Sequence, residues 1–241
     1  MAGHSKWANI KRKKAKTDVA RAKVWNKLLK EITVAAKLGG GDPDANPRLR
    51  AAILKGRGQS LPMKNIEGAI DKAVGNTDAN NMEEPMYEGY GPEGTAILVK
   101  CMTDNRTRTV AEVRNAFNKN GGNMGEPGSV AWGFAHQGVI IIDASVYEEE
   151  QVMDVVLEAG ALDMTSVDGV FEVITEVEQF NAVSAALENA KIDMLSAELA
   201  YNHSTPVQLE GESVQVLMKL IEKLEDLDDV QDVYHNAEFD D

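Results

Sequence analysis

Between residues 17 and 75 the apolar side chains recur at helical spacing, and beyond residue 80 they come in short runs separated by turn residues. In the first region Thr17 and Asp18 are capping residues for a helix running to about Leu38, which Gly39-Gly40-Gly41 stops. At about 100° per residue, Trp25, Leu28, Leu29, Ile32 and Ala36 share one side. Lys16, Lys23, Lys27, Lys30 and Lys37 fall opposite, with Arg21 near the edge of the apolar side, so the Lys stripe is expected to face solvent. Asn46 as cap and Pro47 at the first helical position open a second helix, with Leu49, Ala52 and Ile53 as its apolar side and Gly56 and Gly58 weakening its end. A third starts near Pro62 and is expected to turn Ile66, Ile70 and Val74 inward, with Gly75 as its C-cap. Three short helices around one apolar centre make a small helical domain.

Residues 76–81 are polar and turn-rich, a domain boundary. Tyr87-Glu88-Gly89-Tyr90-Gly91-Pro92-Glu93-Gly94 precedes a strand over 95–102, and its part Gly89 to Gly94 reads as a turn. It spells G-x-G-x-x-G, but a dinucleotide fingerprint follows a strand and opens a helix. This one opens a strand and holds Pro92 and Glu93 where a phosphate would sit. A helix over about 107–118 carries Val110, Val113, Ala116 and Phe117, Gly121-Gly122 ends it, and a strand is expected over 129–135. Residues 138–201 show a complete cycle: strand 139–143, helix 148–159, strands 164–167 and 170–175 around Asp168-Gly169, helix 178–190 and strand 192–200. This β-α-β-β-α-β order is ferredoxin-like. A helix over 213–227 and a strand over 230–234 supply what the earlier β-α-β lacks. The fold class is therefore α+β: an N-terminal three-helix domain followed by two ferredoxin-like α/β domains, one inserted in the other. The expected domains are residues 1–78, residues 79–136 with 204–241, and the insert at 137–203.

Charge changes this picture most. Residues 1–75 hold 17 Lys and Arg against 6 Asp and Glu, a net of +11, whereas residues 76–241 carry −25. An ordinary surface interleaves both signs, so the basic module is expected to bind a phosphate backbone. Its candidates are Lys6, Lys11, Arg12, Lys13, Lys14, Lys16, Lys23, Lys27, Lys30, Arg48, Arg50, Lys55 and Arg57. Compact Lys charges suit sequence-independent phosphate contact better than base reading. Trp7 is read either as stacking on a base or as packing on the helices. Arg106, Arg108, Arg114 and Lys119 reverse the sign locally within the acidic part. They either continue the nucleic-acid surface or pair with the acidic excess.

The remaining chemistry is sparse. Four scattered His residues and the single Cys101 offer no zinc spacing and no intrachain disulfide. The phosphate-loop and G-x-S-x-G signatures are missing, so no catalytic residue, metal, cofactor or small-molecule substrate is expected. No apolar run reaches about 18 residues, and no apolar stretch of about 7–15 follows the basic N-terminus. A cytoplasmic, non-membrane and monomeric protein is the expectation.

Specific blocks carry a family resemblance. Met1-Ala2-Gly3-His4-Ser5-Lys6-Trp7-Ala8-Asn9-Ile10-Lys11, Gly41-Asp42-Pro43, Asn46-Pro47-Arg48-Leu49-Arg50, Tyr87-Glu88-Gly89-Tyr90-Gly91-Pro92, Gly121-Gly122-Asn123 and Asp228-Asp229-Val230-Gln231-Asp232-Val233-Tyr234-His235-Asn236 resemble the YebC/PmpR family over essentially the whole length. Tyr201-Asn202-His203-Ser204-Thr205 departs from it, being more polar than the family's usual apolar pair before the equivalent of Pro206. The resemblance implies three domains and a non-enzymatic role in gene expression. Members are described as probable DNA-binding transcriptional regulators, and mitochondrial relatives look like translation activators at the ribosome. Two partners are therefore carried forward: DNA, for a transcriptional regulator, and rRNA or tRNA on the ribosome, for a translation factor. No recognition helix with Asn, Gln and Arg spaced for base edges stands out, which counts against the DNA reading, while the description of the family's members favours it.

Overall fold

The computed structural model describes residues 18–75, 82–203 and 205–239, with side chains from residue 22 onward. The expected linker at 76–81 lies outside the described residues. One compact unit takes the N-terminal helices together with residues 136–200; the other takes residues 82–135 and 201–239.

In the first unit, α1 (Asp18–Gly39), α2 (Pro47–Gly58) and α3 (Met63–Gly75) enclose Leu28, Ile32, Ala35, Ala36, Leu49, Ala52, Leu61, Ile66 and Ala73. Asn46 joins the first two helices. Its side-chain oxygen accepts the Leu49 N–H at 3.1 Å, and its amide donates to the carbonyls of Ala35 and Gly40, both at 2.9 Å. Gly40 supplies the left-handed turn (φ +87°) after α1. The Trp25 indole donates to the Gln59 carbonyl at 3.0 Å, which closes α1 on the end of α2. Val74, expected inward, is instead 64% exposed, and Ala73 is buried in its place. Seven helical steps return to within about 20° of Ile66, whereas eight overshoot by about 80°.

The same unit holds β4 (Phe134–Asp143), α5 (Glu149–Glu158), β5 (Asp163–Val167), β6 (Val170–Thr175), α6 (Phe180–Asn189) and β7 (Met194–His203). The sheet order is β5-β6-β4-β7, the split β-α-β arrangement. Asp168 and Gly169, both at positive φ, make the β5–β6 hairpin, in register Val167↔Val170. Ile140, Ile142, Val152, Val156, Phe171, Val173, Phe180, Val183 and Leu187 fill the centre between sheet and helices. Ala51 joins this centre and Leu54 packs on it, so α2 contributes to both apolar cores of the unit.

The second unit is built on β1 (Met86–Tyr90), β2 (Ala96–Cys101), α4 (Arg106–Lys119), β3 (Asn123–Met124), α7 (Glu212–Glu225) and β9 (Val230–His235). Its antiparallel sheet runs β3-β1-β2-β9. A short parallel pair joins β8 (Val207–Gln208) to β10 (Ala237–Glu238). Phe117, Val113, Leu217, Leu220 and Leu224 pack from α4 and α7 onto Ile97, Val99 and Cys101.

Two expectations fail here. Of the stretch read as a turn, residues 89–94, Gly89 and Tyr90 end a strand, and only Pro92–Gly94 makes a helical turn. Gly89 misled the reading. A Cβ there would lie 2.7 Å from the Phe117 ring and from the Asn123 carbonyl, so glycine marks close packing rather than a bend. The strand expected over 129–135 is a turn of 3-10 helix, Ala131–Gly133, with β4 beginning only at Phe134. The Glu88 carboxylate captures the backbone N–H groups of Gly128, Val130 and Ala131 at 2.6, 2.7 and 2.8 Å. Those amides are thereby drawn away from any strand ladder.

Candidate nucleic-acid interface

The expected cations fall into four groups: the N-terminal arm, α1, α2 and the arginines of the second unit. Lys6, Lys11, Arg12, Lys13, Lys14 and Lys16 lie outside the described residues. Lys23, Lys27 and Lys30 of α1 are half-buried rather than fully solvated, while Lys37 and Arg57 are exposed.

Three α2 cations, Arg48, Arg50 and Lys55, are held within the protein. Arg48 Nε donates to Glu31 of α1 at 2.7 Å. Arg50 reaches Asp44 at 2.8 Å and Glu188 of α6 at 3.1 Å. Lys55 meets Glu198 of β7 at 2.8 Å. Arg50 thus fastens α2 to α6 and Lys55 fastens it to β7, beside the apolar contact of Ala51 and Leu54. A sequence shows the sign of these charges but not carboxylates more than 130 residues away.

In the second unit the arginines divide. Arg108 Nη2 binds Asp104 at 3.0 Å and Asp229 at 2.6 Å. The same Asp229 oxygen accepts from Thr109 Oγ1 at 2.9 Å and Thr103 Oγ1 at 3.1 Å. Burial opposes the charge on Asp229, but these donors outweigh it and hold its carboxyl below the usual range. Arg108 is therefore a structural clamp that ties the start of α4 to the turn before β9.

Arg106 and Arg114 are exposed and turn elsewhere. Among the described residues Arg106 approaches one carboxylate, Glu83, at 3.9 Å, and its side chain lies by the Tyr87 hydroxyl, while Arg114 reaches no carboxylate. Both line a groove of about 460 Å³ at the edge strand β3, together with Asn118, Asn123, Tyr87 and Met124. The wall formed by Gly125, Glu126 and Pro127 completes it. That wall is fixed: Gly125 N–H donates to the Glu88 carbonyl at 2.8 Å, and the Glu88 carboxylate holds the three amides beyond it. Burial pushes the Glu88 carboxyl upward, yet the three N–H donors together leave it below the ordinary glutamate value. Tyr87 moves upward through burial and extends its hydroxyl toward the Arg106 carbonyl at 3.4 Å.

The sequence reading missed Asn118, Asn123 and Glu88. The signal for the asparagines was the run Asn118-Lys119-Asn120-Gly121-Gly122-Asn123, whose glycines mark a helix stop and whose amides went unused. Glu88 had no local signal, because its partners are backbone amides about 40 residues on. Among the described residues no group of three or more His, Cys, Asp or Glu is placed to hold a metal, and no helix is long and apolar enough to cross a membrane.

Comparison with known proteins places this geometry in context. A probable transcriptional regulatory protein of Ralstonia nicotianae is 54% identical over 238 residues, covering 98% of each chain. One from Francisella tularensis is 52% identical over 240 residues, covering 99% of this chain and 96% of its own. The crystal structure of a conserved hypothetical protein from Aquifex aeolicus superposes with a TM-score of 0.82 at 39% identity, covering 94% of each chain. Residues 5–76 match the TACO1/YebC protein N-terminal domain, and residues 82–237 match the TACO1/YebC second and third domain. The chain therefore belongs to the TACO1/YebC family.

Proposed function

We propose that this protein is a non-enzymatic regulator of gene expression that binds nucleic acid, as a DNA-binding transcriptional regulator, through its basic N-terminal region. The observation that carries the reading is the charge division: +11 over residues 1–75 against −25 over the rest. A polyanion is attracted to the basic stretch and repelled by the acidic remainder of the chain. The printed names of the relatives, probable transcriptional regulatory proteins, support the same reading.

The proposed contact set is narrower than the full inventory of cations. Arg48, Arg50 and Lys55 already answer carboxylates within the protein. The arm residues Lys6 to Lys16 and the α1 residues Lys23, Lys27 and Lys30, with Arg57, are the proposed phosphate contacts. They fix position on the backbone and carry no base code of their own.

The test is binding of a labelled DNA duplex across a salt series. Each neutralised phosphate contributes about 0.9 to the slope of log affinity against log salt. Deleting residues 2–16 is expected to remove most affinity and flatten the slope while circular dichroism stays unchanged. Unaltered affinity in the deletion, or a flat salt response in the intact chain, refutes the reading. A strong preference for structured RNA over the duplex redirects it toward translation.

A further inference from the structure

The α4 groove is not used by the N-terminal phosphate contacts, since no cation of α1, α2 or α3 lines it. We propose that it is a second, separate binding site, and that it takes an unpaired nucleotide segment of a nucleic-acid chain. Arg106 and Arg114 hold its phosphates, and the carboxamides of Asn118 and Asn123 meet a base edge. The inference rests on the nucleic-acid reading for the kind of ligand, but not on the N-terminal cations.

Four features carry it. The volume, about 460 Å³, lies in the range of small-ligand sites, about 300–1,000 Å³. Its lining offers two guanidiniums and two carboxamides against one carboxylate, Glu126. Guanidinium forks match phosphate oxygens bidentately. Carboxamides present a donor and an acceptor side by side, as the edge of a base requires.

The groove arginines are also held less by carboxylates than their neighbour is. Arg108 is spent on Asp104 and Asp229, whereas Arg114 meets no carboxylate among the described residues and Arg106 only the distant Glu83. The third feature is spacing. Arg106 and Arg114 stand eight residues apart on α4, about 12 Å along its axis. Two phosphates of one chain satisfy that separation better than a lone anion.

The fourth is a preset wall and an apolar floor. Gly125 to Pro127 are positioned through Glu88, and Met86, Tyr87 and Met124 provide surface for a base. A duplex keeps its bases stacked and paired, so a groove of this size is served by a splayed, unpaired nucleotide. Glu88 is in this scheme a positioning residue, acting through the loop rather than by touching the ligand.

The experiment uses the full chain and fluorescence anisotropy with a labelled single-stranded oligonucleotide, in DNA and RNA forms, and with a labelled duplex. Adenosine 5′-monophosphate and inorganic phosphate serve as competitors. Two variants are compared, Arg106→Ala with Arg114→Ala, and Lys23→Gln with Lys27→Gln and Lys30→Gln. Both groove arginines are exposed, and melting curves verify that the fold is kept.

The arginine variant is expected to weaken single-strand binding by about tenfold or more, equivalent to about 1.4 kcal/mol, and to leave duplex binding within about twofold. The lysine variant is expected to do the reverse. The mononucleotide is expected to compete better than phosphate alone. Single-strand affinity unchanged in the arginine variant overturns the proposal, and so does phosphate competing as well as the nucleotide, which marks an anion site only. If the duplex fails to bind while arginine-dependent single-strand binding persists, the N-terminal reading falls and this one stands.

Discussion

Replacing Glu88 by Gln isolates the contact that decides the shape of residues 125–131. The wild-type side chain is buried, and its two oxygens accept three backbone N–H groups, one on Oε1 and two on Oε2. Glutamine keeps one acceptor oxygen. With that oxygen toward Val130 and Ala131, its NH2 group faces the Gly128 N–H, so one bond is lost and two donors oppose each other. The two remaining bonds also lose the assistance of charge, which is worth about half their strength. Counting one buried donor left unpaired and two weakened bonds gives a destabilisation of about 2–4 kcal/mol. At a urea dependence of about 2 kcal/mol per molar, the midpoint falls by about 1–2 M. Trp132 reports locally, because its indole donates to the Ser129 carbonyl inside the captured segment and is 77% exposed. Amide exchange at Val130 and Ala131 is expected to accelerate most. The pH dependence sharpens the test. The folded carboxyl sits below the ordinary value, about 4.3, so its contribution is complete above that pH and disappears as pH falls through the folded value. The gap between wild type and Glu88→Gln is therefore expected to be full at neutral pH and to close in acid. A variant within about 0.5 kcal/mol of wild type at pH 7 refutes the reasoning, as does a gap that persists unchanged below the folded value.

Two further stability outcomes follow from single polar hubs. Asp229→Ala leaves Thr103, Thr109 and Arg108 without their shared acceptor and is expected to cost about 3 kcal/mol, read by chemical denaturation. Asn46→Ala removes the α2 cap and both amide bonds to the end of α1; a loss of about 2–3 kcal/mol and a lower melting temperature are expected.

Local rules of chain chemistry made much of the fold legible. Asn46-Pro47 opens a helix because a capping side chain and a fixed φ act over three residues. Asp168-Gly169 makes a hairpin because both residues tolerate positive φ, and the β-α-β-β-α-β order followed from periodicity. The opposite charges of residues 1–75 and 76–241 are a property of composition alone, and they suffice for the polyanion reading. What composition could not decide is which charges remain available. Arg50 and Lys55 look in the sequence like any other cation of the basic module, yet folding brings Glu188 and Glu198 to them. Arg108 and Arg114 looked alike as well, and only the arrival of Asp229 at the start of α4 separates the clamp from the groove. Gly89 and Glu88 are the plainest cases. A glycine that admits Phe117, and a carboxylate that gathers three amides from a distant loop, leave no periodic trace, because their causes lie in contacts across the sheet rather than along the chain.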